Sequence, residues 1–139
     1  MKVVLDTNVA VSGLLSPFGN PAEILRMISS GVLRLCLDAR ILSEYKDVLG
    51  RPKFQFEERK LRGLLDQIEN RGHIVASTPL PQTLQDRTDE PFLEVAVTGR
   101  VDALITGNIA HFPAHLRCGI RVLAPTKFLE FYRKQMRNT

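Results

Sequence analysis

Lys2-Val3-Val4-Leu5-Asp6-Thr7-Asn8 is a short apolar run that turns polar at a carboxylate. It reads as a buried strand, expected over residues 2–7, that delivers Asp6 to its C-terminal end. In open parallel α/β sheets, ligands bind at that end of the strands. A carboxylate closing a buried strand is costly unless a cation or hydrogen-bond donors meet it. Thr7 and Asn8 suit either turn residues that satisfy backbone groups or polar partners of the same site.

Outward from this strand the chain alternates helix-like and strand-like segments. Asn20-Pro21-Ala22-Glu23 predicts an N-cap, a proline at the first helical position and a capping-box glutamate. The helix it opens carries Ile24, Leu25 and Ile28 on one face, with Gly31 beyond its end. Residues 33–37 predict a second strand, and residues 39–49 a helix with Ile41, Leu42, Tyr45, Val48 and Leu49 as its buried stripe, broken at Arg51-Pro52. A third helix bearing Leu61, Leu64, Leu65 and Ile68 ends at Gly72, and residues 73–76 form another short strand. Residues 77–91, rich in proline and polar groups, predict a long loop. A helix over 91–99, strands at 103–106 and 122–123, and a last helix capped by Thr126 and running through Tyr132 complete the pattern. The expectation is an α/β fold, a three-layer α/β/α sandwich with a mostly parallel central sheet, in which residues 1–139 form a single domain.

Composition narrows the function classes. The apolar content of 44% is ordinary for a globular chain, and no apolar run approaches the roughly 18 residues needed to span a bilayer. The start lacks the succession of a signal peptide, so a cytoplasmic protein without membrane contact is expected. Cys36 and Cys118 have no metal-ligand spacing and read as two reduced thiols. Net charge is +4, but residues 117–139 hold six basic side chains (Arg117, Arg121, Lys127, Arg133, Lys134 and Arg137) against Glu130 alone. Such an end beside an acidic cleft suits a polyanion; a solvated tail without a partner accounts for it equally well.

Further acids arrive at later junctions. Glu44 lies roughly 90° from the centre of its helix's apolar stripe, at the rim of the buried face, where it can look toward the sheet edge. Asp86, Asp89 and Glu90 precede the helix near Pro91, where first-turn acids also favour the helix dipole without any further role. Thr106-Gly107-Asn108 follows an apolar strand at the same sheet edge as Asp6. Carboxylates converging there repel one another and imply a counter-cation, in chemical terms a hard divalent metal.

Four segments carry a resemblance: Val4 to Val9, Ser43 to Phe54, Asp86 to Glu94, and Asp102 to Asn108 with His111-Phe112-Pro113. In this order and spacing the chain resembles the PIN domain family, in particular its branch of VapC-like ribonucleases, the toxin components of toxin–antitoxin pairs. The resemblance implies that Asp6, Glu44 and Asp89 bind Mg²⁺ or Mn²⁺ and are catalytic, with Thr7 as the small hydroxyl beside the metal. Asn8 and Thr106 are auxiliary positions of the same edge. Many members carry a fourth Asp where this chain has Asn108, which is expected to be catalytic as a neutral donor and acceptor that orients a water or a phosphate oxygen, and His111 is the later alternative. The implied activity is endoribonucleolytic cleavage of RNA phosphodiesters, with a cognate antitoxin protein as partner and a homodimer compatible with it. A non-catalytic PIN-like domain that binds RNA or a partner is the alternative, and a DNA-directed nuclease would use the same acids. A haloacid-dehalogenase-like phosphatase requires Asp-x-Asp, and Asn8 stands where its second Asp belongs.

Overall fold

The computed structural model describes residues 1–138. Five strands, β1 (Lys2–Leu5), β2 (Arg34–Leu37), β3 (His73–Ile74), β4 (Ala103–Ile105) and β5 (Val122–Leu123), form a sheet in the order β3-β2-β1-β4-β5. All of these pairings are parallel, with Leu5 beside Ile105 and Leu104 beside Val122. Parallel neighbours need crossover connections, which the helices supply. These are α1 (Thr7–Leu15), α2 (Asn20–Ser29), α3 (Ala39–Leu49), α4 (Glu58–Arg71), α5 (Glu90–Gly99) and α6 (Pro125–Arg137).

Successive side chains of a strand point to opposite faces, yet Val3, Val4 and Leu5 are all buried, so helices cover both sides of the sheet. α5 packs on β1, β2 and β4, α6 packs on β4 and β5, and α3 and α4 both reach β2. Fully buried Tyr45, Phe92, Phe112 and Phe128 fill the spaces between the layers. The expected α/β architecture is present. The chain builds β2 and β3 on one side of β1, then crosses to β4 and β5 on the other, so strand order reverses between β1 and β4. That reversal opens a crevice at the carboxyl ends of these two strands.

Local expectations fail at the end of β1, at the caps of α2 and α6, and in the strand expected over 73–76, which is only His73–Ile74. β1 stops at Leu5, and Thr7 and Asn8 open a helix instead of ending a strand or making a turn. α1 reads poorly in sequence because β-branched residues and Gly13 give it weak helix propensity and no clear stripe. Gly13 has a packing reason, since a Cβ there would stand 2.6 Å from Leu25 Cδ1 and 3.0 Å from the Pro21 carbonyl oxygen. The expected caps of α2 and α6 fail together. Gly19 and Ala124 occupy those positions, while Asn20 Nδ2 donates to Thr126 Oγ1 at 2.8 Å, so both side chains tie the two helices to each other. Glu23, expected to complete a capping box, faces Arg133 at 3.4 Å.

Candidate metal centre

The floor of the crevice is stitched from the ends of β1 and β4. The Asp6 backbone N–H donates to the Ile105 carbonyl at 2.9 Å, and Thr106 Oγ1 donates to Asp6 Oδ2 at 2.8 Å. Thr106 Oγ1 also accepts from the Asn108 backbone N–H at 2.9 Å. Asn8 Oδ1 accepts from the Gly107 N–H at 3.1 Å, closing the seam, while its Nδ2 is 3.5 Å from Asp6 Oδ2, at the limit of a hydrogen bond. Thr106 and Asn8 are therefore devices that fix Asp6.

α3 is docked onto this floor by Tyr45, whose buried hydroxyl donates to the Leu5 carbonyl at 2.5 Å. One position earlier, the Glu44 carboxylate accepts a hydrogen bond from the Thr7 hydroxyl at the first turn of α1. Asp89 enters from the other side, at the start of α5. Asp6 occupies the extended N-cap position of α1, the setting in which an aspartate ordinarily accepts from a backbone N–H, and Asp89 precedes α5 as the last residue of a short 3-10 turn, in helical backbone. Neither carboxylate makes the capping hydrogen bond; the Thr7 backbone N–H gives Asp6 only a minor lowering contribution. Elsewhere in the chain the ordinary behaviour holds: Asp38 accepts from the Ile41 N–H and Asp86 from the Thr88 N–H. Capping thus explains Asp38 and Asp86 but not Asp6 and Asp89.

Electrostatics agree with that distinction. Burial pushes the Asp6 carboxyl up from its ordinary 3.8 to about 6; the Thr106 hydrogen bond opposes the rise, and the charges of Asp89 and Glu44 add to it. Asp89 is also raised, by burial first, with His111 opposing and Asp86 and Glu44 adding. Its Oδ2 is buried and accepts no hydrogen bond. His111 Nδ1 stands 3.0 Å from that oxygen, at ion-pair distance, and opposes the rise in its pKa. Mutually repelling acids and a buried carboxylate oxygen fit a hard divalent cation, although Asp6, Glu44 and Asp89 do not bring one ligand atom each within 4.8 Å of one another.

Asn108 reaches this edge through its backbone. Its side chain is exposed and borders a shallow hollow with Asn8, Ser12 and Pro125, with no hydrogen bond to the acids. A compact group of metal-type ligands is a different trio, Asp86, Asp89 and His111, with one ligand atom of each within 4.8 Å of the others. Sequence reasoning had placed His111 only as a substitute for a fourth acid and Asp86 only at a junction.

Sequence reasoning read Glu90 only as an acid at a junction and gave Glu94 no role, yet both are buried on α5. Glu90 accepts from the Leu84 N–H at 2.9 Å and from Arg87 at 3.2 Å. Glu94 accepts from Arg40 at 2.7 Å and from the Leu80 N–H at 3.2 Å. Together they pin the long loop that leads to Asp86 and Asp89. Their spacing of one helical turn on an otherwise apolar helix was the available signal. The basic end is partly committed within the molecule. Arg117 donates to the Phe112 carbonyl, Arg121 lies over the Phe131 ring and Arg133 faces Glu23, whereas Lys134 and Arg137 are exposed on the last turns of α6.

A family model described as PIN domain matches residues 2–110. The chain belongs to the PIN domain family. The matched span contains the ends of β1 and β4, Glu44 on α3 and Asp89 at the start of α5. Among solved structures, VapBC2 from Rickettsia felis, bound to a DNA fragment from their promoter, shares the fold. The likeness has a TM-score of 0.60 at 15% identity and covers 89% of this chain and 98% of that one. A thymidine kinase of Mesoplasma florum is 31% identical over 94 residues, 68% of this chain. The chain spans only 45% of that relative's length. It also contains no Gly-x-x-x-x-Gly-Lys-Ser/Thr loop of the kind that cradles nucleotide phosphates. No helix among the described residues is long and apolar enough to cross a membrane.

Proposed function

We propose that this PIN domain protein is a divalent-metal-dependent endoribonuclease of the toxin type, with Asp6, Glu44 and Asp89 as the ligands of Mg²⁺ or Mn²⁺. The observation that carries the reading is the pair of aspartates ahead of α1 and α5, Asp6 and Asp89, whose carboxylates leave those helices uncapped. A hard divalent ion held there would supply positive charge to an RNA phosphate and lower the pKa of a bound water. The chain's own residues do the positioning. Thr106 holds one oxygen of Asp6, Thr7 orients Glu44, and Asn108 at the rim offers a neutral donor and acceptor to a phosphate oxygen. Lys134 and Arg137 offer charge to the RNA backbone.

The likeness to VapBC2 supports a second element of the reading: a cognate antitoxin protein that holds the nuclease inactive in the cytoplasm. A non-catalytic role in binding RNA is the competing reading, favoured by Asn108 standing where many PIN domains have an acid. Incubation of labelled single-stranded and hairpin RNA with the protein in Mg²⁺, in Mn²⁺ and in excess EDTA separates the two. Cleavage that EDTA and Asp6→Asn both abolish supports the nuclease; RNA binding without cleavage under every metal condition assigns the competing role. Single-stranded DNA run in parallel distinguishes the nucleic acid.

A further inference from the structure

Asp86, Asp89 and His111 lie at the mouth of the crevice, and their ligand atoms fall within 4.8 Å of one another. Three facts separate them from an ordinary acidic cluster. Asp89 Oδ2 is buried and accepts no hydrogen bond of regular geometry, and the group beside it is the His111 imidazole, whose Nδ1 stands at an ion-pair distance of 3.0 Å. Two ligands about 2.1 Å from one ion and at right angles to it stand about 3.0 Å apart, which is this separation. Asp86 is preorganised: its Oδ1 is held by the Thr88 N–H at 2.9 Å and the Thr88 hydroxyl at 2.6 Å, leaving Oδ2 uncommitted.

We infer that Asp86, Asp89 and His111 form a second cation position, sharing Asp89 with the deeper site, and that its imidazole makes it selective for a first-row transition ion over Mg²⁺. This rests on the proposed metal site only for the shared residue. Imidazole binds Mn²⁺ and more strongly Zn²⁺, whereas Mg²⁺ favours oxygen ligands and retains its waters. His111 is held for this role by the short turn Ile109–His111, whose backbone closes onto Asn108 at 3.0 Å, and by buried Phe112 next to it. In consequence the nuclease's metal preference is set at His111, outside the carboxylate set.

Calorimetric titration of the metal-free protein with Mn²⁺ and separately with Mg²⁺, together with nitrogen-15 NMR of the imidazoles on adding Zn²⁺, tests this. The expected result is two Mn²⁺ steps in the wild type, with a Zn²⁺-induced shift of the His111 ring nitrogens. His111→Ala and, independently, Asp86→Asn should each weaken one Mn²⁺ step by tenfold or more while leaving Mg²⁺ affinity unchanged. His115→Ala, on a neighbouring turn, is the control and should change neither. An unshifted His111 ring in Zn²⁺, or an Mn²⁺ to Mg²⁺ preference equal in wild type and both variants, overturns the inference. A His111-dependent step that persists while Asp6→Asn alters no metal step at all upholds this position and defeats the deeper site instead.

Discussion

The Tyr45 hydroxyl and the Leu5 carbonyl are joined by a 2.5 Å hydrogen bond, and Leu5 is the last residue of β1 before Asp6. This bond sets the distance between α3 and the strand end, and so where Glu44 meets Thr7. Tyr45→Phe keeps the ring and removes the bond. It should cost about 1 kcal/mol of stability. A loss of metal affinity larger than that stability change, read by calorimetry, is the expected sign that Tyr45 positions Glu44; equal affinity in the two proteins would confine Tyr45 to packing.

Asp6 makes the metal-free protein sensitive to pH. Its folded-state pKa, about 6, lies above the ordinary 3.8, so the folded chain binds the extra proton between these values. The stabilisation is fully present below about pH 4 and is lost as pH rises through about 6, amounting to roughly 2–3 kcal/mol. Asp89, raised in the same direction, adds to the trend. Chemical denaturation in EDTA at a series of pH values should show that fall in the wild type and a shallower one in Asp6→Asn, which should be the more stable protein at pH 7.5. A wild-type curve that rises across this window would contradict the arrangement. With Mg²⁺ or Mn²⁺ present the fall should shrink, because the ion binds the ionised carboxylates.

Glu94 links α5 to Arg40 and to the Leu80 backbone, and through them fixes the loop ahead of Asp86. Glu94→Ala should destabilise the fold by about 1–3 kcal/mol by leaving buried donors unpaired. Hydrogen exchange gives a local readout. The Leu80 amide should lose protection more than the Leu84 amide, which is held by Glu90. Equal loss at both would mean global loosening and no specific latch.

Lys134 and Arg137 are the basic residues of α6 best placed for a polyanion, since Arg133 already faces Glu23. Changing both to Ala should weaken RNA binding and reduce the slope of log affinity against log salt by roughly 0.7 per lost contact on single strands. An unchanged slope would move the RNA path to another face of the protein.

The fold was legible in the sequence because its strands are continuous apolar runs and its longer helices have clean stripes. α3 is the clearest case, with Ile41, Tyr45 and Leu49 buried as their spacing requires. α1 was illegible because its β-branched residues and Gly13 serve packing against α2 and leave no helical signature. The caps of α2 and α6 were misread because Asn20 and Thr126 have good local uses, and a contact 106 residues apart outcompetes them. The individual acids were visible as strand-end and junction carboxylates. Their relation was not, because which aspartate caps its helix and which is left open depends on backbone geometry. Asp86 caps and Asp89 does not, although they stand three residues apart. His111 was visible as a residue but not as a neighbour of Asp89, a contact made by the turn after β4.

Asp6, Glu44 and Asp89 are proposed to share a divalent cation. This is tested most directly by anomalous diffraction from crystals of the wild-type protein soaked in Mn²⁺. The account predicts a manganese peak between the Asp6 and Asp89 carboxylates, about 2.1–2.3 Å from its nearest oxygens, with Glu44 bound directly or through water. A well-ordered site with saturating Mn²⁺ and no peak within reach of Asp6 would contradict it.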